Sequence, residues 1–399
     1  MIAMKALNEK IPAVLQSMFI IAFGNLIDSS YSPLAPFIKN HFVLTAAQLG
    51  LITSVIFIGS SSMSFFTGIF VDRIGYRNAM KISFAIMATG SIIIFRAVNY
   101  PFLLSGFYFI GFGYGLLTPA TNSHIMSKYF PEHLTRMGIK QAGVPMGAAV
   151  SAIVLPVIAL NIGISYTYLV VFIIAVAIVF IIPFRKITNQ SVFNFKQYIK
   201  DFGVAVKNRD LMLVSGAGLF LSWVQQSVLT YYVVYYRSEN YQTISAEILL
   251  FTVLISAIAG RIMWTWLGRK MFHGNHIRTF SVIMAVTAVT LIAFPHFSGI
   301  IYMAVLFSIF IGITAISWNG VFVSITSEVA PKEMIGMFSG VSIIIISLGT
   351  IVGTPISGFI VDHFKSYMYM WTAMGVTVIF VALAVYIMSY RIKSSKGLM

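Results

Sequence analysis

Two charges stand inside apolar runs, where charges are rare. Asp28 belongs to the polar cluster Asn25-Leu-Ile-Asp28-Ser29-Ser30-Tyr31-Ser32, and Arg261 follows Gly260 in Ile255-Ser-Ala-Ile-Ala-Gly-Arg-Ile-Met-Trp. An ionisable side chain in hydrocarbon is costly and marks function by default. A carboxyl among apolar neighbours can bind and release a proton, which makes Asp28 a candidate proton carrier. The competing reading is a structural carboxylate capped by hydroxyls or paired with a base. Asn25, Asp28 and Ser32 are three and four residues apart, so they share one helix face. A guanidinium keeps its charge, and its planar fork matches a carboxylate or phosphate. Arg261 is therefore a candidate anion-binding residue; as the alternative it braces a gate through backbone carbonyls or a carboxylate. At 1.5 Å per residue, Asp28 lies roughly 24 Å and Arg261 roughly 10 Å from the ends of their runs that face the same side. Separate roles are expected, with a direct pair as the alternative. Lys140, near the start of its run, reads as a lysine that snorkels to headgroups. His124 stands near the end of another run.

The elements that must position these residues are membrane-spanning helices. The chain is 58% hydrophobic and 9% charged, with mean hydropathy +0.90; soluble domains carry about 25% charged residues. A bilayer core of about 30 Å needs about 20 apolar residues per helix. By that measure twelve spans run near 12–36, 47–71, 78–95, 101–127, 136–160, 165–184, 210–236, 246–267, 279–295, 299–326, 336–361 and 368–390. The first run is too long for a cleaved leader and lacks a small-residue cleavage site. The net charge of +15 is a topology signal, not a nucleic-acid signal. Of 26 Lys and Arg, only Lys39, Arg96, Arg237 and Lys365 fall in odd-numbered loops, and Arg261 lies within a span. The rest lie in or beside the termini and even-numbered loops, which places both termini in the cytoplasm of a multi-pass cell-membrane protein. Zero cysteines excludes disulfides and cysteine-based metal or redox sites. No metal site or cofactor is expected, and no nucleophile–base set points to an enzyme.

The polar stretch 185–209 divides the chain into a bundle over 1–184 and a second over 210–399. Phe193, Phe195, Tyr198 and Phe202 are spaced for an amphipathic helix on the membrane surface. The halves echo each other: Pro131-Glu132…Gly138 recurs as Pro331-Lys332-Glu333…Gly336, 200 residues later. Gly143-x-Pro145-x-Gly147 and Gly349-x3-Gly353-x-Pro355-x2-Gly358 read either as tight helix seams or as bending points. Gly358-Phe-Ile-Val-Asp362 reads as a loop.

Between the second and third spans stands Gly68-Ile-Phe-Val-Asp72-Arg73-Ile-Gly75-Tyr-Arg77. It resembles the Gly-x3-Asp-Arg-x-Gly-Arg-Arg loop of the major facilitator superfamily, matching at Gly68, Asp72, Arg73, Gly75 and Arg77 and departing at Tyr76. After the eighth span, Leu267-Gly268-Arg269-Lys270…Arg278 keeps the basic residues of that motif without its Asp. The resemblance implies an all-α fold of two six-helix bundles, alternating access, and a gating role for the motif residues. Parallel half-repeats with a site at their interface are this class's architecture. The resemblance further implies solute contact for polar groups in the cavity-lining spans: Asn25 and Tyr31; Tyr114 and Asn122; Gln225, Gln226 and Tyr231; Trp318 and Asn319. For the aromatic residues among them, packing is the competing role. Anion-carrying branches of the superfamily have an Arg in the eighth span, as Arg261 is. Nitrate porters also carry one in the second span, where this chain has Ser60, Ser61, Ser62 and Ser64.

The expected function is secondary transport of a small organic anion, proton-coupled through Asp28, with Arg261 binding the solute. Alternatives are a proton-driven exporter of amphipathic compounds and, less well supported, a transporter-like sensor. The expected partners are a small-molecule solute, protons and membrane lipids, and the protein is expected to be a monomer.

Overall fold

A computed structural model describes residues 12–129, 133–183, 195–272, 275–331 and 334–396. Phe193, Pro131, Glu132, Lys332 and Glu333 lie outside the described residues. Among those described, twelve helices are long and apolar enough to cross a membrane, and no strand occurs. The hydropathy count of spans therefore holds.

The chain forms two compact units. The first comprises 1–44 and 52–193; the second comprises 45–51 and 194–399. The first turns of the helix Ala46–Ile74 thus pack with the second unit.

Close backbone approach at glycine builds the first unit. A Cβ at Gly143 would come within 2.3 Å of the Met18 carbonyl oxygen, and one at Gly147 within 2.0 Å of that of Ala22. The Gly-x-Pro-x-Gly run of the fifth span is therefore a seam against the first span. Without a hydrophobic driving force between helices in lipid, such contacts supply the packing.

In the second unit, the seventh span (Arg209–Ser238) and the eleventh (Ile335–Phe364) share a ladder of hydroxyls. Ser215 meets Ser342 at 2.9 Å, Ser222 meets Thr350 at 2.9 Å, and Ser227 meets Ser357 at 3.0 Å. The Trp223 indole also donates to Ser357 at 2.8 Å. Cβ atoms at Gly349 and Gly353 would strike Leu219 and Trp223. Gly349-x3-Gly353 is thus a seam as well, and Pro355 lies within unbroken helix.

Three expectations change. The turn in the Gly68–Arg77 motif is shorter than span ends near 71 and 78 imply: the second-span helix runs to Ile74, and Gly75 alone separates it from the helix Tyr76–Phe95. Gly358–Asp362 is helical, inside Ile335–Phe364, because its apolar residues continue the eleventh span. The linker does form a helix, Phe195–Lys207, but Phe202 and Ala205 pack against Leu211, Phe338 and Val341 of its own unit. Ile199, Val204 and Val206 remain exposed.

Candidate functional site

The first span is discontinuous. One helix ends at Asp28 and a second begins at Tyr31. At the break the backbone switches partners: the Ser29 amide bonds the Asn25 carbonyl at 2.8 Å, while that of Ser30 bonds Ile27 at 3.2 Å. Asn25 and Asp28 therefore lie before the break and Ser32 after it. Asp28 sits at that break, with its Oδ1 buried and without a hydrogen-bond partner among the described residues.

Beside it runs a chain of polar contacts. Ser29 Oγ donates to Asn25 Oδ1 at 3.0 Å, and Asn25 Nδ2 donates to the Tyr114 hydroxyl at 3.1 Å. Tyr114, Thr118 and Asn122 follow at four-residue intervals on the fourth span, and all are half-buried. Asn122 Oδ1 accepts from Lys140 Nζ at 2.6 Å. Asn25, Tyr114 and Asn122 thus belong to one polar seam of the first unit. The Tyr31 ring is buried, edge-on to Phe107 at 5.3 Å. Lys140 does not snorkel, since none of it is exposed.

In the second unit, irregular backbone again marks the spot. The tenth span contains a π-helical turn, Gly312–Ile316, before helix resumes at Asn319. Such turns appear frequently at functional sites. The Trp264 indole and the Ser317 hydroxyl both donate to the Ile313 carbonyl within this turn. Gly260 packs against the turn, since a Cβ there would lie 2.6 Å from Ile313 Cα. Arg261, the residue after Gly260, is half-buried. Asn319 Nδ2 donates to Gln225 Oε1 at 3.2 Å, bringing those two candidates together; neighbouring Gln226 is half-buried.

Trp318 is buried, 5.3 Å from the Phe322 ring and 6.1 Å from that of Phe280. Tyr231 is buried too; its hydroxyl donates to the carbonyls of Ala46 and Thr354, each at 2.9 Å.

In the motif, Gly75 adopts φ 76° and ψ 149°, a conformation open essentially to glycine alone. Tyr76 stacks on His124, with ring centroids 4.7 Å apart and planes at 15°. His124 Nδ1 lies 2.9 Å from Ser17 Oγ. The residue that departs from the family motif thus ties the third span to the fourth. Gly68 and Asp72 lie in the second-span helix, Arg73 is exposed and Arg77 is half-buried.

Glu247 is absent from the residues that sequence reasoning singles out. Both its carboxyl oxygens are buried without a hydrogen-bond partner among the described residues. Its only signal was an acid near the start of the eighth span, where acids commonly sit in headgroups.

Broken helices bearing polar groups, in two units of transmembrane helices, define a membrane carrier. The sequence model of the Major Facilitator Superfamily matches residues 17–354, and the chain belongs to that family. It is 22% identical over 404 residues to a hexuronate transporter of Bacillus subtilis, covering 95% of this chain and 94% of that one. It is 28% identical over 149 residues to a gentisate transporter of Corynebacterium glutamicum, covering 37% and 33%. Among solved structures, the nucleoside transporter NupG aligns with TM-score 0.79 at 14% identity, covering 95% of this chain and 99% of that one. A bacterial homologue of the human lysosomal transporter Spinster aligns with TM-score 0.75 at 17% identity, covering 95% and 96%. Both share the fold. The protein is a transporter, with twelve candidate spans among its described residues.

Proposed function

We propose that the protein is a secondary carrier of a small organic carboxylate, driven by protons, in the cell membrane with both termini in the cytoplasm. The carrying observation is Arg261, a half-buried cation within the eighth span, next in sequence to Gly260, which packs against the π turn of the tenth. Its permanent charge suits a carboxylate. The two relatives support the same class, since hexuronates and gentisate are both carboxylates. Asp28 is the coupling residue: its buried, unpartnered oxygen at a helix break can exchange a proton as access alternates. The two charges serve separate roles, in different units.

The test uses proteoliposomes with an imposed pH gradient and labelled glucuronate or gentisate. The expected result is accumulation that Arg261→Ala abolishes. Asp28→Asn should keep counterflow but lose gradient-driven accumulation; accumulation surviving in Asp28→Asn removes Asp28 from the coupling. No carboxylate flux, with cationic dye efflux that depends on Asp28, would overturn the reading in favour of an exporter.

A further inference from the structure

Lys140 is the penultimate residue of the helical segment His133–Gln141, two residues before a turn at Ala142 interrupts the fifth span. None of its surface is exposed. Its ammonium donates to Asn122 Oδ1 at 2.6 Å and to Thr121 Oγ1 at 3.2 Å. Both acceptors are neutral. Among the described residues no carboxylate lies within ion-pair distance of it. An ammonium taken out of water without a counter-charge is costly. A protein that keeps one in a membrane span has a use for it.

The surroundings say what the use is. Asn122 is the half-buried member of the pair and ends the stripe Tyr114–Thr118–Asn122. Polar groups at this spacing share a helix face, and such a face does not suit lipid. Asn122 therefore covers the ammonium on the side that polar solutes can approach. A carboxylate there would supply the missing counter-charge, and the Asn122 amide N–H groups are donors to the same oxygens.

We propose that Lys140 is the anion-binding residue of the first unit and that Asn122 is its cover. A solute carboxylate displaces the Asn122 carbonyl oxygen from the ammonium and takes its place. This rests on the organic-anion reading above and adds a residue that reading does not contain.

The test measures binding of glucuronate and of its uncharged methyl ester to the purified full-length protein. The wild type should prefer the acid at least tenfold. In Lys140→Met that preference should fall at least tenfold while ester affinity holds within twofold, a split that a merely structural lysine would not produce. Asn122→Asp provides a second route, should Lys140→Met not fold. It sets a carboxylate against the ammonium from within, so glucuronate affinity should fall at least tenfold with no loss of thermal stability. A folded Lys140→Met or Asn122→Asp protein that keeps the acid preference overturns the proposal and leaves the anion reading standing. A wild type that prefers neither glucuronate nor gentisate over its ester overturns both.

Discussion

The carboxylate of Asp362 grips the start of the second-span helix at Ala46. One oxygen accepts from the Ala46 amide at 2.9 Å and the other from the Ala47 amide at 2.8 Å. The first N–H groups of a helix have no partner within it, and an anion there also meets the positive end of the helix dipole. The contact needs glycine on both sides: a Cβ at Gly358 would lie 2.3 Å from the Ala46 oxygen, and one at Gly50 would lie 2.5 Å from that of Thr354.

Asp362→Ala should therefore loosen residues 45–51 selectively. Loss of an N-terminal cap costs about 1 kcal/mol. The expected outcome is faster amide hydrogen exchange at Ala46 and Ala47, with the seventh-span amides unchanged. Equal protection in the variant and the wild type would show that water replaces the carboxylate at no cost.

Gly75→Ala isolates backbone strain in the motif. A Cβ there meets nothing within 4 Å, so crowding contributes nothing. The positive φ costs about 1–3 kcal/mol for a residue with a side chain. A lower thermal midpoint is expected. Gly138→Ala is the control, because it is helical, has equal space and lacks the positive φ; its midpoint should hold or rise. A Gly75→Ala midpoint matching the control would mean that the inter-helix turn relaxes.

Glu247→Leu should stabilise the protein. A buried polar group without a partner costs about 1–3 kcal/mol, and an apolar replacement of similar shape removes that cost. The measurement is the thermal midpoint in detergent, against Glu247→Gln, which should gain less because its amide stays polar. A fall in both variants would reveal a partner for the carboxyl.

The spans were legible in the sequence because hydropathy sums over about 20 residues, and lipid leaves the backbone no alternative to the helix. Gly75 was legible only as a motif match; its positive φ was not read from the sequence. Helix continuity was misread. The signal for the break at Ser29–Ser30 was Pro33, which has no N–H for the Ser29 carbonyl four residues back, and the reading of the span passed over it. Among the site residues, the pairing of Asn25 with Tyr114 and of Gln225 with Asn319 depends on which spans become neighbours. Spacing along one span says nothing of that. Lys140 was misread for the same reason. A lysine near the end of an apolar run reaches headgroups unless another helix offers acceptors, and Thr121 and Asn122 do.

The π turn at Gly312–Ile316 amounts to one surplus residue in the tenth span. Each residue advances an α-helix by about 100°, so everything from Asn319 to Val329 is rotated relative to an uninterrupted rod. The azimuth at which Asn319 meets Gln225 is in this sense an insertion phenotype. Deleting a single residue from the turn would restore the phase and swing the carboxamide away from its partner, without altering the composition of the site.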